Sequence, residues 1–228
     1  MKDIIIFGTG EIAELAHYYF SHDTESQYNV VAFTVDDEYV KSETFKSLPL
    51  VPISKLNDLY PPKRYGAHVA LSYQKLNQLR EAKYNLMKKL GYELVSYVCS
   101  KSALWQDLKH GDNCFILENQ TIQPTVKIGN NVMIWSTNHL GHNCEIKDHA
   151  YLASGITVSG HTVIGERTFV GVNAAFKDFI KIGEDCFITM GANVIRDIEK
   201  GSTVTSKEIF PQEHIVNKKL KKKYFGLL

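Results

Sequence analysis

The second half of the chain carries an apolar residue at every sixth position. This ladder runs without interruption through Ile116, Ile122, Ile128, Ile134, Leu140, Ile146, Leu152, Val158, Ile164, Val170, Phe176, Ile182, Ile188 and Val194. Hydrophobic residues make up 44% of the chain, so composition alone does not produce an unbroken run of this length. A period of six matches neither the 3.6-residue helix nor the two-residue strand, and it indicates a repeated structural unit.

Two further columns keep the same phase. Four residues after the ladder position stands a small or β-branched residue: Val126, Val132, Cys144, Ala150, Ile156, Thr162, Thr168, Ala174, Cys186 and Ala192. One residue after the ladder position glycine recurs, at Gly129, Gly141, Gly165, Gly171 and Gly183, which we attribute to a tight bend of the backbone. Because strand residues alternate between faces, the ladder and the small column are predicted to point inward. Each hexapeptide then forms a short strand and a corner, and three hexapeptides form one 18-residue coil of a solenoid.

The first part of the chain has a different pattern, in which strands alternate with helices. Apolar runs predict strands over 4–7, 30–35, 69–73 and 94–98, and amphipathic segments predict helices over 11–20 and 74–90. Four prolines are predicted to lie in the loops: Pro49, Pro52, Pro61 and Pro62. This alternation predicts a parallel sheet in a small Rossmann-like domain over 1–98, followed by the repeat domain over 99–200 and a basic C-terminal extension over 201–228.

A glycine-rich turn follows the first predicted strand. The sequence from Gly8 to Ala13 fits G-x-G-x-x-A, and the amide groups at the start of the following helix can hold a pyrophosphate. The second strand ends in Asp36 and Asp37, where a carboxylate would meet the ribose or base of the same ligand. The same features are found in NAD-dependent dehydrogenases, but this domain is short and no hydride-acceptor domain follows it.

Composition and charge exclude several classes of protein. The net charge is +1, which gives no reason to expect nucleic acid or a membrane as the principal partner. No apolar run resembles a signal peptide, so we expect a cytoplasmic location. The spacing of the four cysteines matches neither a disulfide framework nor a zinc site, and three of them fall in the inward column. A metal site built on the pair His139 and His142 lacks a third ligand at a suitable spacing, and we predict no metal.

The repeat also indicates a catalytic residue. His142 stands two positions after the ladder residue Leu140, so it occupies a corner and not the packed interior. Coils repeat every 18 residues at the spacing of adjacent strands, about 4.8 Å, so Gly160 is predicted to stack directly on His142. A histidine that can deprotonate an amine, beside a backbone N–H that can face a developing oxyanion, is the pairing that acyl transfer needs.

Over roughly residues 112–198 the pattern resembles the hexapeptide-repeat acyltransferases, whose repeats form a left-handed parallel β-helix. Together with the N-terminal domain, the glycine turn and the acidic strand end, the chain resembles the bacterial sugar acyltransferases that acetylate nucleotide-linked amino sugars, in a subfamily similar to the sialic-acid O-acetyltransferases. The resemblance implies an α/β N-terminal Rossmann-like domain and a left-handed β-helix of hexapeptide repeats. It is also the only basis for the handedness, because left-handed crossovers are rare and spacing does not determine them.

The resemblance implies a role for particular residues. His142 matches the family's general base and Gly160 the residue near the thioester oxygen, while Asn143 stands where relatives often have a carboxylate and is expected to orient the ring. The implied substrate contacts are Gly10, Glu11, Ile12, Asp36, Asp37 and Ser72, which replaces a common glycine. His139 stands at an outward strand position three residues before His142, and we predict that it lines the acceptor pocket or pairs across a subunit contact. The implied contacts of acetyl-CoA, which would lie in a groove between two subunits of a homotrimer, are Tyr151, Gly160 and Val172. Independently of the resemblance, Lys177 and Arg196 are basic residues on the last coils, and their charge predicts contacts with the phosphates of CoA.

These features predict an acetyl-CoA-dependent N-acetyltransferase for a nucleotide-linked 4-amino-4,6-dideoxy sugar used in surface-glycan synthesis. Among the nucleotides dTDP is preferred, with UDP and GDP as alternatives. Two other functions remain open: an O-acetyltransferase that uses the same histidine on a sugar hydroxyl, and a non-enzymatic trimeric module that binds nucleotide sugars. The basic C-terminal cluster, which includes Lys218 and Lys223, is predicted either to cap the solenoid or to dock on an anion, without stable insertion into a membrane.

Overall fold

The computed structural model describes residues 1–206 and the backbone of Ile209–Phe210. The chain divides into two compact units, of which the first comprises Met1–Ser100 and the second begins at Lys101. No helix among the described residues has the length and apolar character needed to cross a bilayer.

The first unit is a parallel sheet with helices between its strands. Its strands are β1 (Lys2–Phe7), β2 (Tyr28–Val35), β3 (Thr44–Phe45), β4 (Leu48–Pro52), β5 (Gly66–Val69), β6 (Glu93–Leu94) and β7 (Tyr97–Val98), and its helices are α1 (Glu11–His22), α2 (Leu56–Leu59) and α3 (Gln78–Lys89). The sheet has the order β3-β4-β2-β1-β5-β6, and every pair is parallel except the β3–β4 hairpin. The predicted parallel α/β arrangement is confirmed, and β1 lies at its buried centre.

The third parallel strand and the helix after it differ from the sequence prediction. The strand ends at Val69, so that 70–73 form a loop at the carboxyl edge of the sheet. The helix begins at Gln78 because the three residues before it have left-handed φ angles of 51°, 53° and 66°. The buried Arg80 stabilises this turn, since its guanidinium donates a hydrogen bond of 3.0 Å to the side chain of Asn77.

Two prolines expected in loops lie in a strand. Pro49 and Pro52 belong to β4, which pairs with β2 through Leu50, Val51 and Pro52. Proline cannot donate to a sheet, so it is tolerated where a strand has few neighbours to satisfy. Here β4 has only the two-residue strand β3 on its other side.

The second unit is a triangular prism of two-residue strands. These are β8 (Lys109–His110), β9 (Phe115–Ile116), β10 (Thr121–Ile122), β11 (Lys127–Ile128), β12 (Met133–Ile134), β13 (His139–Leu140), β14 (Glu145–Ile146), β15 (Tyr151–Leu152), β16 (Thr157–Val158), β17 (Val163–Ile164), β18 (Phe169–Val170), β19 (Ala175–Phe176), β20 (Lys181–Ile182), β21 (Phe187–Ile188), β22 (Asn193–Val194), β23 (Thr203–Val204) and β24 (Ile209–Phe210). Every third strand shares a face, as in the face β10-β13-β16-β19-β22. From β8 to β22, strands on one face pair in parallel with residues 18 positions apart, as Ile128 does with Ile146.

The inward columns are confirmed by burial. All fourteen ladder residues are at most 4% exposed, and the ten members of the small column are at most 2% exposed. The three cysteines of the prism, Cys114, Cys144 and Cys186, are buried as well, and none of them forms a disulfide bond within the described residues. They fill space in the core, as the sequence predicts.

The glycines that follow the ladder have a different reason from the one predicted. None of the five has a positive φ angle, and the left-handed residue of each corner stands two positions later, as Asn143 and Arg167 do. A Cβ on any of these glycines would instead come within 2.7 Å of an atom in the next coil, for example 2.7 Å from the N of Gly160 at Gly141. Glycine is therefore needed because successive coils approach each other closely there, and not because the backbone bends.

The prism continues beyond the predicted boundary at residue 200. Thr203 pairs in parallel with Phe187, only 16 residues earlier, so β23 adds a shorter last rung to this face. The backbone of β24 then pairs antiparallel with β23. The basic cluster predicted to cap the prism or bind an anion, over 218–223, lies outside the described residues.

Candidate active site

His142 lies on an exposed corner of the prism, and its imidazole lies over the glycine of the next coil. The corner follows β13, and its residues His142 and Asn143 are both exposed. A Cβ built on Gly160 would lie 3.0 Å from His142 Nε2 and 3.1 Å from its Cε1. The imidazole therefore rests over Gly160, as the 18-residue repeat predicts, and any larger residue at position 160 would displace it.

The backbone beside this imidazole presents an unused donor. The N–H of His161 donates to the carbonyl of His142 at 3.0 Å, and the carbonyl of Gly160 accepts from the N–H of Phe179 at 3.1 Å. Within residues 1–206 no acceptor binds the N–H of Gly160. A donor of this kind next to a base can stabilise an oxyanion.

A side-chain network surrounds the other nitrogen of the imidazole. The amide of Asn143 lies 3.1 Å from His142 Nδ1 and 3.3 Å from His161 Nε2. Its other end lies 2.7 Å from Thr125 Oγ1, and the N–H of Asn143 donates to the same hydroxyl at 3.0 Å. The N–H of His142 donates to Gln123 Oε1 at 2.8 Å, which fixes the backbone of the corner.

An aromatic stack extends this column away from the base. The ring of His161 packs edge-on against His142 at 5.0 Å and stacks on Phe179 at 4.4 Å. Phe179 is 69% exposed, which is unusual for a large apolar side chain. Sequence reasoning missed the contributions of Thr125, His161 and Phe179, although each stands 18 or 36 residues from Asn143 and the repeat would have placed them in one column.

The other residues predicted in this unit lie in different environments. His139 is half-buried in β13, and Val172, Lys177 and Arg196 are exposed at corners. Arg196 belongs to the same column as His142 and Gly160, because it stands 36 residues, or two full coils, after Gly160. Tyr151 differs from them, since it is only 5% exposed and its ring stacks on Phe169 at 5.2 Å. The binding roles of these residues stay predictions.

In the first unit, the glycine turn lies at the carboxyl end of β1. Gly8 has a φ of +126°, and a Cβ there would come 2.8 Å from the carbonyl of Ala70, so only glycine fits. Gly10 caps α1, and no atom lies within 4 Å of where its Cβ would be. Of the other predicted contacts in this loop, Glu11 is exposed and Ile12 half-buried. The space above Gly10 at the start of α1 is therefore open for a phosphate.

The acidic residues after β2 are held by partners that the sequence did not reveal. Asp36 Oδ1 lies 2.6 Å from the ammonium of Lys83 on α3, which also lies 5.7 Å from the centre of the Phe7 ring. Asp37 accepts a hydrogen bond from the N–H of Ser54 at 3.1 Å. Hydrogen bonds from the side chain and N–H of Ser54 lower the pKa of the Asp37 carboxyl, which stays charged. Lys83 thus brings a partly buried cation to the carboxyl edge of the sheet.

A cavity of about 520 Å³ lies along α1, beside the exposed side chain of Glu11. Glu14 and Lys46 form an ion pair of 2.9 Å at its wall. Burial lowers the pKa of the neighbouring His17, and the charges of His22 and Lys46 act in the same direction. Ser72, the last predicted contact, is half-buried in the loop after β5.

Comparisons with known proteins agree with this architecture. Residues 125–160 match the family described as bacterial transferase hexapeptide (six repeats), and a search of curated proteins finds no match. The acetyltransferase domain of PglB from Neisseria gonorrhoeae superposes with a TM-score of 0.79 at 18% identity, over 92% of this chain and 100% of that domain. PerB from Caulobacter crescentus, solved with CoA and GDP-perosamine, has a TM-score of 0.79 at 20% identity, over 92% of this chain and 96% of its own. WeeI from Acinetobacter baumannii has a TM-score of 0.75 at 19% identity, over 91% of this chain and 99% of its own.

These likenesses show the fold, which is an α/β unit followed by a left-handed β-helix of hexapeptide repeats. The handedness predicted from the resemblance is thereby confirmed.

Proposed function

We propose that this hexapeptide-repeat protein is an acetyl-CoA-dependent N-acetyltransferase that acts on the amine of a nucleotide-linked 4-amino-4,6-dideoxy sugar. The observation that carries the proposal is the position of His142, with its Nε2 over Gly160 and an N–H without an acceptor beside it. The comparisons support the same activity, since PerB was solved with CoA and a nucleotide amino sugar and the PglB domain with acetyl-CoA.

The geometry supports direct transfer between the two substrates. His142 accepts a proton from the sugar amine as the nitrogen attacks the thioester carbonyl carbon, and the Gly160 N–H stabilises the resulting oxyanion. The intermediate then collapses, the bond from carbon to sulfur breaks, and the proton passes to the departing CoA thiolate. No covalent acyl-enzyme is needed. The nearby thiol of Cys144 is 1% exposed, and burial raises its pKa, so it is not a nucleophile.

The activity is tested by incubating the purified chain with acetyl-CoA and 4-amino-4,6-dideoxy sugars linked to dTDP, UDP or GDP. We expect release of the CoA thiol together with an acetylated sugar that resists alkali, as an amide does, with dTDP as the preferred nucleotide. An alkali-labile product formed from a sugar hydroxyl would assign an O-acetyltransferase instead. Binding of a nucleotide sugar without any release of the CoA thiol would instead indicate the non-enzymatic module that binds nucleotide sugars.

We assign the nucleotide to the first unit, at the carboxyl edge of its sheet. The open helix start at Gly10 suits the diphosphate, and the carboxylates of Asp36 and Asp37 suit the N–H groups of a base or the hydroxyls of a ribose. Because Lys83 holds Oδ1 of Asp36, the other carboxylate oxygen is left to accept from the nucleoside. Lys83 is thus a positioning residue for nucleotide binding.

Replacing Lys83 by methionine is expected to raise the KM for the nucleotide sugar about tenfold, because the Asp36 carboxylate loses a charged hydrogen bond that orients it. Values of kcat and of the KM for acetyl-CoA should change little, which steady-state kinetics with each substrate varied in turn will show. Lys89→Met, at an exposed position of the same helix, is the matched control. An equal rise in the KM values for the nucleotide sugar and for acetyl-CoA would contradict the assignment of Lys83 to nucleotide binding.

We propose that acetyl-CoA binds along the corners that carry Gly160, Val172, Lys177 and Arg196, in a groove completed by a second subunit. The exposed Val172, Phe179, Met190 and Ile195 give these corners an apolar surface that suits a subunit contact. A homotrimer is therefore expected, with a mass of about three times 25.8 kDa by light scattering. A monomer at micromolar concentration would contradict it. A cytoplasmic location also stays a prediction.

A further inference from the structure

The amide of Asn143 can take two orientations of the same shape that differ by a half-turn. In the first orientation its NH₂ faces both imidazoles and its oxygen faces Thr125. His142 Nδ1 must then accept a hydrogen bond, so a neutral imidazole carries its proton on Nε2. That is the nitrogen over Gly160, and in this tautomer it cannot accept a proton from a substrate.

In the second orientation the amide oxygen faces the imidazoles and accepts from His142 Nδ1–H and His161 Nε2–H. The NH₂ then donates to Thr125 Oγ1, which also accepts from the N–H of Asn143. The hydroxyl of Thr125 donates its own proton to the carbonyl of Pro124. Both imidazole N–H groups that face Asn143, the backbone N–H of Asn143 and the hydroxyl of Thr125 then have acceptors, and Nε2 of His142 is left with a free lone pair over Gly160.

Thr125 determines which orientation Asn143 adopts, because all the hydrogen-bonding positions of its hydroxyl are satisfied in only one of the two. It has two acceptor positions and one proton. The contact with Pro124 uses the proton, which leaves the hydroxyl to accept from both N–H groups of Asn143. In the first orientation the carbonyl of Pro124 and the amide oxygen of Asn143 compete for the same proton.

We propose that Thr125, acting through Asn143, selects the tautomer of His142 that has Nδ1 protonated and Nε2 free to act as a base. An uncharged hydroxyl and amide thereby do the orienting work that a carboxylate does elsewhere in proteins. Both are positioning residues, since neither touches the reacting atoms. The catalytic consequence rests on the proposed function, whereas the tautomer itself does not.

The tautomer is measured directly by nuclear magnetic resonance. In protein labelled with ¹⁵N-histidine, at alkaline pH, long-range proton–nitrogen correlations distinguish a protonated ring nitrogen from a bare one. The signals of His142 are assigned by their loss in His142→Gln. We expect Nδ1 protonated and Nε2 bare in the wild type. A proton on Nε2 overturns the proposal, whether or not the chain is an acetyltransferase.

Substitutions at the two positioning residues supply the second test. Thr125→Val should give a mixture of tautomers and a kcat about tenfold lower, with KM values unchanged. Asn143→Asp offers only acceptors to the two imidazoles, so it should keep Nδ1 protonated without help from position 125. In the Asn143→Asp background, Thr125→Val is therefore expected to lower kcat by less than twofold, so the effects of the two substitutions are strongly non-additive.

The matched control is Thr137→Val. Thr137 occupies the same left-handed corner position on another edge of the prism, and its hydroxyl also donates to the preceding carbonyl. The Thr137→Val substitution should leave both the tautomer of His142 and kcat unchanged. Circular dichroism confirms that each variant is folded. Additive losses in the double variant, or an unchanged tautomer in Thr125→Val, would reject a selecting role for Thr125.

Discussion

Alanine at position 142 is expected to lower kcat by a factor of about 10² to 10⁴, the usual contribution of a general base. The amine must lose a proton while it attacks the thioester, and within the described column His142 is the side chain whose free nitrogen lies over the oxyanion donor of Gly160. The fold should survive, because the imidazole lies on an exposed corner and contributes nothing to the buried ladder. Release of the CoA thiol under saturating substrates measures the change.

Residual activity above the uncatalysed rate is expected in this variant, since the Gly160 N–H and the bound substrates remain in place. His110→Ala is the control, because His110 is an exposed histidine of the same prism in β8. Its kcat should equal that of the wild type. Turnover near normal in His142→Ala, with the oligomeric state and the circular dichroism unchanged from the wild type, would remove His142 from the role of base.

Alanine at position 165 is expected to destabilise the prism by about 3 kcal/mol. The new Cβ would lie 2.4 Å from the backbone C and O of Gly183 and 2.6 Å from the N of Glu184. These atoms belong to the next coil, so relief of the clash requires that two stacked coils separate and that their buried ladder residues lose contact. Backbone atoms cannot swing away as the end of a flexible side chain does.

Urea unfolding followed by tryptophan fluorescence measures this loss, because Trp105 and Trp135 both belong to the second unit. All variants must be compared at one protein concentration. Lys147→Ala is the matched control, since Lys147 occupies the same corner position one coil earlier and already has a Cβ there. Its exposed ion pair with Glu145 contributes little, and the expected change is within 0.5 kcal/mol. Equal midpoints for the two variants would show that the coils can move apart at little cost.

Much of the second unit followed from periodicity alone. A repeat of six assigns each residue to an inward, outward or corner position, and a coil of 18 residues determines which residues stack. For this reason the burial of three cysteines and the contact between His142 and Gly160 were both predicted correctly. The reason for the recurring glycines was predicted wrongly, because the sequence shows the period of the repeat but not the distance between one coil and the next.

The first unit was less predictable because its site residues come together from distant parts of the chain. The alternation of strands and helices and the acidic strand end followed from local patterns, but the pairing of Asp36 with Lys83 joins residues 47 positions apart. The start of α3 was misplaced because a left-handed turn, held by the buried Arg80, overrides the helical periodicity before Gln78. The pattern of hydrophobic and polar residues indicates neither contact.

The division between the two levels is clearest at the corner of His142. Linear order was enough to place an imidazole over a glycine, since a regular repeat converts separation along the chain into position in space. The tertiary structure alone decided how that imidazole is used, because the direction of a hydrogen bond depends on where neighbouring side chains point. Thr125, Asn143 and His161 meet in one column through their shared left-handed backbone, and their donors and acceptors are matched only once the coils are stacked.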